Sequence, residues 1–395
     1  MTRNLPDLPN ALQAQALFEE LLQFSPVIQP RLIDKPLILY GAGNLGRMAR
    51  GYFDHLGIQI AAVVDVNADQ YRNVPFWQGI SVLTPDEVTD DQMFKSLLAV
   101  CVATLPFTEL AEQLKQLGWC DVVMFYDITE AYRDRHPLGN GWFSGPFNQQ
   151  DRKQISRVLQ CWSDDLSRAH HLQFLAYRYM REDWVFADAP INPHDRYFIP
   201  EITTLLNDHE VFVDVGAHHG EVVKRFLLEV GSNYQKIWLI EPDEENLRIA
   251  ETALLTVDSA TYRIVNCALA DRTGRFGFYT GLGYASQLCS FASQLQETTT
   301  LDALNIKASF IKLHIEGGEL DALIGAKCTL AECRPILAIT GYHNRNGLWV
   351  LPSWLQNHLS DYQIIMRLHS WCGTGVVIYA IPNERMGLDK SFRSK

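Results

Sequence analysis

The chain has 395 residues, 47% hydrophobic and 20% charged; that is more than one ordinary core accommodates, so two domains with connecting helices are expected. A formal net charge of −12 with scattered Lys and Arg argues against a nucleic-acid partner or an anionic membrane surface, both of which need basic patches. No apolar run approaches the ~20 residues that cross a bilayer, and the N-terminus lacks the basic and apolar regions of a signal peptide.

Asn10 to Phe24 carries Leu12, Ala16, Leu17, Leu21 and Leu22 at helical spacing, the stripe of a docking or core helix. Pro36 to Tyr40 reads as a buried strand running into GAGNLG and then a helix to about His55. Ile58 to Val66 is a second strand, Leu97 to Ala103 a third, Glu109 to Leu117 a helix and Asp121 to Tyr126 another strand. Alternation of this kind predicts a parallel sheet of four or five strands. The stretch HPLGNGWFSGPFN, from His136, reads as a linker, and Asp151 to Met180 as helical until Pro190 and Pro193.

A second alternating series starts near Val211, with strands at 211–215, 236–240, 262–266, 309–315, 335–340, 362–368 and 375–381. Only Ser370 to Thr374 separates the last two, so the final strand should run antiparallel, because a parallel neighbour needs a longer crossover. The expected fold is α/β, with two doubly wound Rossmann-like domains, the second seven-stranded. The expected division is 1–30 as a helical segment, 31–132 as a nucleotide-binding domain, 133–200 as linker and helical connector, and 201–395 as the second domain. None of the eight cysteines forms a C-x-x-C pair, so free thiols in a cytoplasmic protein are expected rather than disulfides.

Two glycine turns carry chemistry. In the first, Gly41, Gly43 and Gly46, with Asn44 between them, form G-x-G-x-x-G after a strand, and Asp65 ends the next strand. Such a turn admits a phosphate at a helix N-terminus, with the acid on ribose hydroxyls. The short sheet favours a nucleotide or nucleotide-sugar over a dinucleotide; the alternative is a turn that only packs. In the second, VFVDVGAHHG, the acid Asp214 lies on the strand itself, Gly216 and Gly220 follow, and Glu241 ends the next strand. That arrangement suits S-adenosylmethionine, which has ribose hydroxyls for a carboxylate but no pyrophosphate.

With VFVDVGAHHG, LIEPDEENL, VNCALAD, TTLDALNI, FIKLHIEGGELDALIGA, PILAITGYHN and MRLHS in order, the chain resembles the FkbM methyltransferase family. HDRYFIPEI resembles the segment leading into the first motif of bacterial members. The GAGNLGR region is similar to the nucleotide-sugar-binding module of bacterial sugar acyltransferases. The resemblance implies O-methylation of a hydroxyl on a sugar or related metabolite, in polysaccharide or glycolipid biosynthesis. It places Asp214, Gly216, Ala217, Gly220, Glu241, Asn266 and Ala268, with His218 and Pro242 beside them, around the cofactor. Members carry an Asp where this chain has His314, within IKLHIEGGE.

His218, His219, His314, His343 and His369 all fall at strand ends on the cofactor rim. His314 or His343 is the candidate base, since neutral imidazole titrates near working pH, and Glu316 the group that fixes it or holds the sugar. A cation on His314, Glu316 and His343 has no local H-x-x-x-H spacing behind it, and no metal is expected. The other readings are a relative that binds ligand with impaired catalysis, and a nucleotide-sugar oxidoreductase or epimerase using the first domain. The acceptor is expected to be a small molecule or carbohydrate; the sequence leaves the oligomeric state open.

Overall fold

The computed structural model describes residues 2–24, 28–138, 146–255, 257–282 and 285–387. Most of the glycine- and aromatic-rich linker expected from His136 onward lies outside them. Strand β1 (Thr2–Leu5) comes first. β2 (Leu37–Tyr40), β3 (Ile60–Val64), β4 (Val82–Leu83), β5 (Leu97–Val100) and β6 (Val122–Met124) form a five-stranded sheet in the order β4-β3-β2-β5-β6, parallel throughout. β7 (Asp183–Phe186) returns to pair in parallel with β1.

The second sheet holds β8 (Val211–Val215), β9 (Lys236–Ile240), β10 (Tyr262–Val265), β15 (Phe310–Leu313), β16 (Ile336–Thr340), β17 (Tyr362–Leu368) and β18 (Val376–Pro382). Its order is β10-β9-β8-β15-β16-β18-β17. β18 is antiparallel to both its neighbours, as the short connection dictates. Between them β11 (Ala268–Leu269), β12 (Gly274–Tyr279), β13 (Gln287–Leu288) and β14 (Leu295–Thr299) make a small separate sheet, absent from the sequence-based expectation.

Apolar runs explain the central strands. LILY, FIKL and ILAIT are buried almost throughout, as strands covered on both faces must be. Gly57, at φ +68°, closes helix Asn44–Leu56 in the left-handed conformation that favours glycine. Two expectations need correction. The strand expected to reach Tyr126 ends at Met124, and helix Phe125–Ala131 follows directly. The single helix expected over 151–180 is two, Gln149–Cys161 and Asp165–Met180, separated by a break at which Asp164 caps the second through the Ser167 amide.

Helix Asp165–Met180 is buried nearly all round and packs against β17. Some of its polar groups are paired inside: His170 Nδ1 accepts the Leu368 amide at 3.3 Å, and His171 Nδ1 accepts the Trp162 indole at 3.0 Å. Arg178 donates to the Gly373 carbonyl at 2.9 Å and to that of Tyr342. The connector is therefore part of the second sheet's core, and through Gly373 and Tyr342 it braces the rim that faces the first sheet. All eight cysteines are free, with Cys101, Cys267 and Cys372 buried. Among the described residues no helix is long and apolar enough to cross a membrane.

Candidate active site

The carboxyl ends of β8 and β9 open on a pocket of about 610 Å³. Gly216 ends β8 at φ +72°, and a Cβ there would stand 1.9 Å from the His314 carbonyl oxygen; backbone passes backbone where no side chain fits. Glu241 is buried at the pocket edge. Its Oε2 accepts the His218 amide at 2.8 Å, and its Oε1 accepts the Asp243 amide at 3.1 Å and the Asn246 side chain at 3.3 Å. Burial pushes its pKa up, against the pull of those amides. A carboxylate oxygen accepts two bonds, so Oε2, with one amide, keeps capacity for a ligand hydroxyl. Pro242, Ala268 and Phe278 add apolar wall.

Of the predicted cofactor residues, Gly216, His218, Glu241, Pro242 and Ala268 line this pocket, and Asp214, Ala217, Gly220 and Asn266 stand behind it. Asp214 is fully buried, 2.8 Å from Lys312 Nζ. Lys312 also donates to the Val215 and Gly216 carbonyls at 3.2 and 2.7 Å. Its three ammonium protons thus tie the on-strand acid to the glycine turn. Burial raises the Asp214 pKa while Lys312 opposes the shift. Ala217 packs in the core, Gly220 caps helix Glu221–Val230, and the Asn266 amide donates to the Glu241 and Pro242 carbonyls.

His314, Glu316 and His343 come together. His314 Nε2 lies 2.9 Å and His343 Nε2 3.3 Å from the same Glu316 oxygen, Oε1. The two rings stack with centroids 4.9 Å apart. Tyr197 hydroxyl meets His314 Nδ1 at 2.8 Å, and Glu319 Oε1 meets His343 Nδ1 at 3.1 Å. Burial holds the His314 pKa well below its ordinary value. Burial also opposes charge on His343, but the flanking Glu316 and Glu319 outweigh it and raise its pKa. His218 and His219 stack on each other at 3.6 Å. His369 turns away from the cluster: Nδ1 faces the Asn192 carbonyl at 2.7 Å and Nε2 the Tyr379 hydroxyl at 2.8 Å, so its part is structural.

A second cavity, of about 750 Å³, lies between the two sheets. Leu45, Met48, Ala103 and Tyr126 close it from the side of the first sheet; Arg196, His314, Glu316, Tyr342 and His343 close it from the side of the second. His314 and Glu316 line both cavities. Arg196 donates to the Tyr342 hydroxyl at 3.0 Å, with its guanidinium 5.0 Å over the Tyr197 ring. Sequence reasoning gave no role to Lys312, Arg196, Tyr197 and Glu319. A lysine inside the apolar strand FIKL was a visible signal, and Glu319 stands in IKLHIEGGE and Arg196 and Tyr197 in HDRYFIPEI, but what they touch depends on the fold.

The first glycine turn is built as expected. Gly41 has φ +107°, and a Cβ on Gly46 would lie 2.0 Å from the Gly41 carbonyl oxygen, so helix and strand meet there without a side chain. A Cβ on Gly43 would meet nothing within 4 Å, and helix Asn44–Leu56 starts just after it. Asp65 accepts the Ala42 amide with Oδ2 and the Asn67 amide with Oδ1, both at 2.7 Å.

Residues 214–368 match the family model described as Methyltransferase FkbM domain. The fold matches the crystal structure of methyltransferase FkbM from Methylobacillus flagellatus KT with a TM-score of 0.64 at 18% identity, covering 94% of this chain and 100% of that one. Precorrin-6y C5,15-methyltransferase from Geobacter metallireducens GS-15 is 14% identical over 45% of this chain and 81% of its own, with a TM-score of 0.30. A putative caffeoyl-CoA O-methyltransferase from Staphylococcus aureus is 11% identical over 49% of this chain and 85% of its own, at 0.32. Likeness at that level carries no argument. No curated protein matches. Residues 214–368 are thus similar to the FkbM methyltransferase domain, and the fold of the chain to that of a methyltransferase FkbM.

Proposed function

We propose that this chain is an S-adenosylmethionine-dependent O-methyltransferase acting on a hydroxyl of a sugar or related metabolite, in polysaccharide or glycolipid biosynthesis. The observation that carries the reading is the meeting of two cavities at one cluster: the Glu241 pocket and the interdomain cavity share His314 and Glu316. The residues fit the cofactor. Glu241 Oε2 offers a carboxylate oxygen to a ribose hydroxyl, and Ala268, Pro242 and Phe278 offer an apolar slot for a base. When bound, the sulfonium supplies an electrophilic methyl group.

The protein's own task is placement. The interdomain cavity aligns an acceptor hydroxyl with the mouth of the Glu241 pocket, which supplies effective molarities of about 10⁵ M or more. Tyr342 and Arg196 offer polar contacts to the acceptor's other groups. The His314–Glu316–His343 cluster stands where the hydroxyl proton has to be given up; removal of that proton is worth roughly 10²–10⁴-fold. Calorimetry of the full chain with S-adenosylmethionine and S-adenosylhomocysteine tests the reading: one site per chain is expected, and absence of binding by both overturns it. Methyl transfer to a panel of sugars and nucleotide-sugars then identifies the acceptor. The first turn, with open space at Gly43 over a helix N-terminus, supports a nucleotide or nucleotide-sugar there as a further ligand.

A further inference from the structure

We propose that His314 Nε2, Glu316 Oε1 and His343 Nε2 form a site for one first-row divalent transition ion, placed between the two cavities to hold the acceptor hydroxyl. The spacing matches. Ligands about 2.1 Å from a shared ion stand about 3.0 Å apart at a right angle and about 3.4 Å apart at the tetrahedral angle. Here the two Nε2–Oε1 separations are 2.9 and 3.3 Å, and all three ligand atoms lie within 4.8 Å of one another. Two imidazoles and one carboxylate on one side of an ion leave its other positions open, and the set suits transition ions better than magnesium or calcium.

The surrounding bonds orient the ligands. Glu319 Oε1 accepts the Ile315 amide at 3.1 Å and the Thr340 hydroxyl at 2.9 Å. It is therefore the acceptor for His343 Nδ1–H, the carboxylate–histidine arrangement that fixes an imidazole ligand's tautomer. His343 Nε2, buried and making no hydrogen bond, is left aiming at Glu316 Oε1. Two acceptor atoms that close, out of water, need a positive occupant between them. His314 is turned likewise, with Nδ1 on Tyr197 hydroxyl and Nε2 on Glu316.

The backbone shows the same preparation. Glu316 has φ +54°, a conformation side-chain-bearing residues rarely adopt. The surrounding packing has to hold that strain. The deviation from the family's usual acid then has a chemical sense: His314 exchanges a carboxylate for a second imidazole ligand.

For the reaction, the inference rests on the methyl-transfer reading; ion binding itself does not. The acceptor oxygen on the ion loses its proton to water in the interdomain cavity and attacks the methyl carbon. The C–O bond forms as the C–S bond breaks, and the electron pair returns to sulfur, which leaves as a neutral thioether. The ion's share is to lower the hydroxyl pKa and fix the oxygen in line.

The test uses the full chain stripped with a chelator and titrated with Co²⁺, read by visible absorption and by calorimetry, with Zn²⁺ and Mn²⁺ in competition. One ion per chain is expected, with Co²⁺ bands of a nitrogen–oxygen site. Glu316→Gln, which keeps the shape, and His343→Ala should each weaken binding at least tenfold, and His358→Ala on the surface should not. S-adenosylhomocysteine binding to the same stripped protein is measured in parallel. Absence of ion binding, or binding indifferent to Glu316→Gln and His343→Ala, overturns the metal site and leaves the cluster holding only a proton. If S-adenosylhomocysteine still binds in that case, the methyl-transfer reading stands alone. If the ion binds and S-adenosylhomocysteine does not, the failure lies with that reading.

Discussion

The two glycine turns are built to one plan and differ in what lies beneath them. In both, an acid at the end of the second strand accepts an amide from the turn after the first: Asp65 from Ala42, and Glu241 from His218, each across 23 residues. Beneath the first turn the strand is apolar, LILY. Beneath the second lies the buried Asp214–Lys312 pair. The first acid is partly exposed with one oxygen on the turn's Ala42 amide and the other on the Asn67 amide of its own loop, whereas Glu241 is buried and lines a pocket. The comparison teaches that strand, glycine and terminal acid make a scaffold, and that burial and the charge beneath the turn make a site of it.

The sharpest way to break the comparison is to remove that charge. Lys312→Met strands the Asp214 carboxylate and two carbonyl acceptors in a dry core, and should cost about 3–5 kcal/mol, the usual loss when one partner of a buried pair is deleted. Denaturant unfolding measures it. Asp214→Leu with Lys312→Met should recover part of the loss; if Lys312→Met unfolds like the wild type, the pair is not what supports the turn.

Acid separates the two regions next. Burial pushes His170 and His171, behind the second sheet, down to about 3, and His136, beside the first, down to about 4. A histidine whose folded pKa is depressed stays neutral in the fold while the unfolded chain binds the proton. Stability is therefore full above the unfolded value near 6.5 and is lost as pH falls from there toward the folded values. At pH 5 the two fully buried histidines together should cost on the order of 4 kcal/mol. The second region should melt first as pH drops from 7 to 5. Equal losses in both regions, followed by hydrogen exchange, would contradict the assignment.

Third comes ligand binding. Glu241→Gln should weaken S-adenosylmethionine by about 1.5–3 kcal/mol, the worth of hydrogen bonds to a charged group, and Asp65→Asn should leave it unchanged. Calorimetry on both variants decides it; an equal effect from Asp65→Asn would erase the distinction between the two turns.

Much of this contrast was legible in the sequence because apolar runs and glycine spacing are local signals. The seven strands of the second sheet were found within two residues at either end, since burial on both faces writes continuous runs such as VFVDV and KIWLI. The β11–β14 sheet was not, because GRFGFY and LQETT are half-polar and carry no period. The first two residues of helix Phe125–Ala131 read as strand because no polar break separates them from VVM. His314 and His343 stand out by their strand ends, and Glu316 by the IKLHIEGGE stretch. Their convergence on one oxygen was not visible, since it depends on the neighbouring of β15 and β16 and on the turned backbone of Glu316. His369 shared their position in sequence, but Asn192 and Tyr379 claim both its nitrogens.

The smallest expected effect is the most discriminating for the first domain. Gly46 is required by packing, because a Cβ would meet the Gly41 carbonyl oxygen. Gly43 is not: its φ is −72°, open to any residue, and its missing Cβ faces empty space. Gly43→Ala should therefore cost under about 1 kcal/mol, the difference between glycine and alanine at a helix N-cap. If the open space admits a phosphate to the amides of helix Asn44–Leu56, the same substitution should cut binding of UDP or ADP by tenfold or more with melting almost unchanged. UDP binding equal in Gly43→Ala and wild type would place the phosphate elsewhere. If neither protein binds a nucleotide while Gly46→Ala is severely destabilised, the first turn serves only to pack helix against strand, and to present Leu45 and Met48 to the acceptor cavity.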